Sequence, residues 1–224
     1  GSWEVMKIRG IPLRIHPSWF LVFLYFTLSA KDQFESLLNG QASIWNGWVI
    51  GACTSSLLFL SVLLHELAHS FVAIGEGLKV RDITLFFLGG MASLEKECPT
   101  SKGSLKIAIS GPVVSLLLAF LMILLSNNLS VSNFILSNLF KQVGSLNLLI
   151  GVFNLLPIIP LDGGVILKSL IWYFTGSKRA GIKVAIGSAR LISFLAIFIC
   201  ILCLLSGNLY LSFCFSIFVF FVFF

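Results

Sequence analysis

Six stretches of this 224-residue chain are too long and too apolar for the surface of a soluble fold. A membrane-spanning helix needs roughly 20 apolar residues. On that measure the sequence predicts spans at 17–30, 48–74, 105–125, 143–161, 183–205 and 209–224, the first short and the fourth interrupted by Pro157 and Pro160. Charged residues make up only 11% of the chain, against about 25% in a typical soluble domain. The expected fold class is therefore an all-α polytopic membrane protein with six transmembrane helices. Residues 1–224 read as one transmembrane domain, with Gly1-Ser2 set aside as an expression scar. Cys53, Cys200, Cys203 and Cys214 lie inside apolar runs and read as small hydrophobes, so no disulfide framework is implied.

The net charge of +6 is a topology signal rather than a nucleic-acid footprint. Of the 15 Lys and Arg, only Lys31 and Lys141 fall in the links that alternate with the basic ones. The other 13 lie in the N-terminal stretch, between the second and third spans, and between the fourth span and the start of the fifth. Cytoplasmic loops carry the excess of Lys and Arg, so both termini are expected in the cytoplasm. One connection departs from an ordinary loop. Asp82 to Glu95 is apolar yet too short to span, and Gly89-Gly90 sits where a tight turn favours positive φ. This segment predicts a two-stranded hairpin dipping into the membrane from the cytoplasmic side, where its backbone is tolerated only against protein or a wet cavity.

The chemistry is concentrated in His65-Glu66-Leu67-Ala68-His69, inside the second span. Residues i and i+4 share one helix face, so both imidazoles can reach one metal ion. Glu66 is turned about 100° from His65, near enough to act as general base on a water at that metal. Zinc suits two imidazoles and a carboxylate with one position left for water. The bland alternative, two satisfied polar residues on a helix interface, is disfavoured because intramembrane ionisable groups are costly and functional by default.

A third ligand must come from elsewhere, and Asp162 is the other acidic residue well inside an apolar stretch. His65 lies 17 residues after Trp48 and Asp162 lies 19 after Val143. If both segments are helical, their depths differ by about 3 Å, in the cytoplasmic half of the bilayer. Taken alone, Asp162-Gly163-Gly164 also reads as a helix-ending turn. Pro157 and Pro160 should unwind the segment before it. Asn154 has two readings: its amide hydrogen-bonds the substrate or a developing oxyanion, or it satisfies carbonyls freed by the prolines.

His-Glu-Leu-Ala-His, then Gly89-Gly90, then Ser110-Gly111-Pro112, then Asn154-x-x-Pro-x-x-Pro-Leu-Asp-Gly-Gly164 resembles the site-2 protease family of intramembrane zinc metalloproteases. Gly10-Ile-Pro-Leu-Arg-Ile-His-Pro-Ser-Trp19 is similar to the start of its prokaryotic and plastid branch, whose members often carry C-terminal CBS domains; none is expected in these 224 residues. The resemblance implies zinc ligands His65, His69 and Asp162, with Glu66 as catalytic base. It also implies a transmembrane or membrane-proximal protein substrate, often a regulator released by cleavage. A substrate helix hides its carbonyls and must be extended before attack. The hairpin, with Phe87, Gly89, Gly90 and Met91, is expected to bind that extended stretch by strand addition. His16 reads as an interfacial or capping residue, with a fourth metal ligand as the alternative, and Arg190 as a snorkelling cation. Gly111-Pro112 reads as small-residue support for helix packing around the site. The rival class is a membrane zinc transporter or metal sensor, in which a Glu between the two His has no necessary role. A catalytically dead scaffold is the third reading, against which stand the intact motif residues.

Overall fold

The computed structural model describes residues 1–37, 44–87, 89–129 and 133–206. In chain order the elements are strands β1 (Trp3–Ile8) and β2 (Ile11–Ile15), helices α1 (Ser18–Leu37) and α2 (Ile44–Gly75), and strands β3 (Val80–Phe86) and β4 (Gly89–Leu94). Helices α3 (Ser101–Leu129), α4 (Phe134–Asn154), α5 (Asp162–Thr175) and α6 (Lys178–Leu205) follow. Four helices among the described residues are long and apolar enough to cross a membrane: Asn46–Gly75 within α2, and α3, α4 and α6.

The expected second, third and fifth spans appear as α2, α3 and α6. The expected first is helical but runs on to Leu37, and Lys31, Asp32 and Glu35 lie in its last turns. There Lys31 pairs with Glu35 at 3.0 Å. The expected sixth, 209–224, lies outside the described residues. The fourth is shifted: α4 begins at Phe134 and ends at Asn154. Its first turns carry polar side chains, and these find partners. Ser137 and Ser126 hydroxyls meet at 3.2 Å, and Gln142 donates to Gln33 at 3.0 Å. Satisfied polar side chains lose most of their cost in an apolar environment.

The described residues group into two compact units. The first, Gly1–Cys98 with Ser110–Phe153, holds a four-stranded sheet in the order β1-β2-β3-β4. The expected two-stranded hairpin is present as β3 and β4, and β1 and β2, which were not expected, extend it to four strands. Ile11-x-Leu13-x-Ile15 alternates with the period of a strand. Pro12 is tolerated because the parallel pairing with β3 covers only Leu13, Arg14 and Ile15. Ile11, Leu13, Ile83 and Leu85 point to one sheet face and bury against Leu63 and Leu67 of α2. His16 caps α1, its Nδ1 accepting the Ser18 backbone N–H at 3.2 Å, as the capping reading expected.

The second unit comprises Pro99–Ile109 and the chain from Asn154 on. The helix does stop before the prolines, and Ser188 of α6 donates to the freed Pro157 carbonyl at 2.6 Å. Asp162 then opens α5, an element the sequence reading did not separate from a connecting link. Asp-Gly-Gly therefore starts a helix and does not end one. A Cβ on Gly163 would strike the carbonyls of Leu155 and Leu156, and one on Gly164 would lie 2.5 Å from the Ile159 nitrogen. The two glycines let the unwound segment fold back onto the first turn of α5.

Candidate metal centre

Residues of α2 are spaced about 100° apart around the axis. Leu63 and Leu67 share the direction that faces the sheet. Glu66 is offset about 60° from Leu63, and His65 and His69 a further 60–100° round, so the carboxylate lies between the sheet and the imidazoles. All five side chains are buried. The local helix explains the spacing; burial of the leucines explains the orientation.

The two Nε2 atoms of His65 and His69 face each other at 3.1 Å. Nδ1 of His65 meets the hydroxyl of Ser115 at 2.8 Å, and Nδ1 of His69 meets that of Ser110 at 3.4 Å. Both serines lie on α3, as does Gly111, and a Cβ on Gly111 would strike Nε2 of His69 and stand 2.5 Å from Nε2 of His65. Glycine at 111 thus leaves open the space into which both imidazoles point. Two nitrogens each 2.0–2.1 Å from one tetrahedral zinc stand about 3.3 Å apart, so the observed separation fits such an ion. Gly111 was expected to serve helix packing alone; it also bounds the metal-binding space. Ser115 was missed. It follows Gly111 by four residues and so shares its face, a signal readable once Gly111 is placed against the histidines.

Gly90 also has a different role from the one expected. Phe86 pairs with Gly89, so the double glycine opens β4 and does not form the turn, although Gly89 does adopt φ +129°. A Cβ on Gly90 would strike the Glu66 side chain, with Cδ at 2.8 Å. On the sequence expectation that Glu66 is the general base and the histidines are metal ligands, replacing Gly90 with Val is expected to displace the Glu66 side chain and to lower turnover by about tenfold or more with metal retained. Metal content and turnover of that variant check it; unchanged turnover would mean that Glu66 relaxes freely. Phe87 and Met91 lie exposed on the same hairpin.

Asn154 and Asp162 belong to the second unit, Asn154 as the last residue of α4 and Asp162 as the first of α5, both half-buried. The depth argument that linked Asp162 to His65 assumed an unbroken helix from Val143. That premise fails, because the helix ends at Asn154. Asp162 at a helix start is also favourably placed toward the helix dipole. Arg190 is exposed on α6.

Comparison with known proteins bears directly on this constellation. The model of peptidase family M50 matches residues 53–134 and 127–199. A relative from Synechocystis sp. is 41% identical over 187 residues, covering 81% of this chain and 47% of the relative. The zinc metalloprotease MJ0392 of Methanocaldococcus jannaschii is 34% identical over 98% of this chain and 59% of its own length. The chain thus spans about half the length of the relatives it matches. Among solved structures, the site-2 protease from Methanocaldococcus jannaschii aligns with TM-score 0.63 and 33% identity, over 99% of this chain and 93% of that one. A metal-competent histidine pair on a membrane-length helix and a family match across most of the chain agree: this chain is an integral membrane protein that belongs to peptidase family M50, the site-2 protease family.

Proposed function

We propose that this chain is an intramembrane zinc metalloendopeptidase, with His65, His69 and Asp162 as ligands of one zinc ion and Glu66 as general base. Residues 1–224 act as its single protease domain, and the substrates are transmembrane or membrane-proximal segments of other proteins. The observation that carries the reading is the buried pair of Nε2 atoms 3.1 Å apart, with a buried carboxylate beside them, on a helix of membrane-spanning length. The names of the relatives as zinc metalloproteases and a site-2 protease support it.

Zinc, when bound, supplies Lewis acidity that makes water nucleophilic near neutral pH and polarises the scissile carbonyl. Glu66 accepts the proton of the attacking water and passes it to the leaving amine. Burial shelters its carboxylate from competing solvent. Asn154, through its amide N–H, stabilises the developing oxyanion. The substrate strand pairs with the outer edge of β4, beside Gly90 and Glu66, with Phe87 and Met91 contacting its side chains. Alanine at His65, His69 or Asp162 is expected to remove most of the one zinc per chain. Metal analysis of the purified variants tests this, and full zinc in any two of them sinks the ligand assignment.

The charge distribution supports a topology with both termini cytoplasmic and the site in the cytoplasmic half of the bilayer. Single cysteines near Lys7 and Lys178, in a background without native cysteines, are expected to resist an impermeant reagent applied outside. Cysteines near Lys31 and Lys141 are expected to react. The reverse labelling pattern would invert the topology.

A further inference from the structure

We infer that Ser115 is a positioning residue for the metal: its hydroxyl holds the Nδ1 proton of His65 so that the Nε2 lone pair is free to ligate. The inference rests on the proposal that His65 and His69 are ligands. A neutral imidazole carries one proton on two nitrogens, and only the bare nitrogen binds a metal. The partner of the other nitrogen decides which is bare. For His65 that partner is Ser115, at 2.8 Å and only 1% exposed, so water cannot readily take its place.

Ser110 stands to His69 in the same relation, but its 3.4 Å separation makes a weaker hold.

The test is zinc affinity, measured by competition with a chelator of known strength, on full-length protein in detergent. Ser115→Ala is expected to weaken zinc binding by about 10–100-fold, and Ser110→Ala by less. Ser61→Ala is the packing control: Ser61 is also buried, one turn before His65, and it pairs with Asn147 at 3.0 Å rather than with an imidazole. That variant is expected to keep wild-type affinity. A Ser115→Ala affinity equal to wild type, or a loss no larger than that of Ser61→Ala, overturns the inference. A second readout needs no variant. The chain has three His, so the nitrogen-15 spectrum of the zinc-loaded protein resolves each one. Protonated Nδ1 with ligated Nε2 at His65 is expected, and the opposite tautomer overturns the inference. Full zinc retention by His65→Ala fails differently, since it removes the ligand assignment itself.

Discussion

Glu66→Gln is expected to keep its full zinc complement and to lose nearly all hydrolysis. Glutamine matches glutamate in size, so the packing around a side chain that is only 7% exposed is preserved. What disappears is the capacity to accept a proton. General acid–base catalysis contributes typically 10²–10⁴-fold, and activity should fall by about that factor. The Glu66 carboxylate lies on the sheet side of α2 while the imidazoles point toward α3, which is why metal and base are separable by mutation. Zinc analysis alongside cleavage of a membrane substrate in detergent or liposomes gives both readouts from one preparation. An active variant would remove Glu66 from the mechanism, and a zinc-free one would make it a ligand.

Gly111→Ala should show the opposite division. The added methyl group projects into the space that both Nε2 atoms face, 2.5 Å from that of His65. Real Cβ atoms do not approach other atoms within 3.0 Å, and here the neighbours are the nitrogens proposed as zinc ligands. Zinc affinity is expected to fall at least about 100-fold, given that loss of an outer-shell partner alone costs 10–100-fold. Helix propensity cannot explain such a loss. Alanine is favoured over glycine in a helix interior by about 1 kcal/mol, so α3 itself should be no less stable. Wild-type zinc content in a folded Gly111→Ala protein would show that the site opens elsewhere than toward α3. Taken together, the two variants divide the site into a metal-holding part that meets α3 and a proton-transferring part that meets β4.

Much of this was readable from the chain because it depends on neighbours in sequence. His65 and His69 fall on one face through the helical period alone, and Glu66 is offset by the same rule. Pro157 and Pro160 remove backbone donors wherever they stand, so the break after Asn154 could be anticipated. Other expectations failed for identifiable reasons. The start of α4 at Phe134 lay outside the expected span of 143–161; its polar residues Ser137 and Gln142 are satisfied by Ser126 and Gln33 of other helices. The alternative reading of Asp162-Gly163-Gly164 as a helix-ending turn gives way because Gly163 and Gly164 are small to admit the preceding loop at a helix start. Strand β2 was passed over, although Ile11, Leu13 and Ile15 alternate, because its parallel partner β3 lies about 70 residues away, and β1 pairs with β2 alone.

By itself, the sequence determined the apolar helices and the common placement of His65, Glu66 and His69 on one of them. Each follows from composition or from a repeat of a few residues, which every copy of the chain carries locally. Only the tertiary structure decided which groups stand against that helix: Gly90 of β4 on Glu66, Gly111 in front of both imidazoles, and Ser115 behind His65. Those contacts join residues 24 to 50 positions apart. No local periodicity specifies them. They arise because Leu63 and Leu67 bury against the sheet on one side, which turns Glu66 toward β4 and the histidines toward α3.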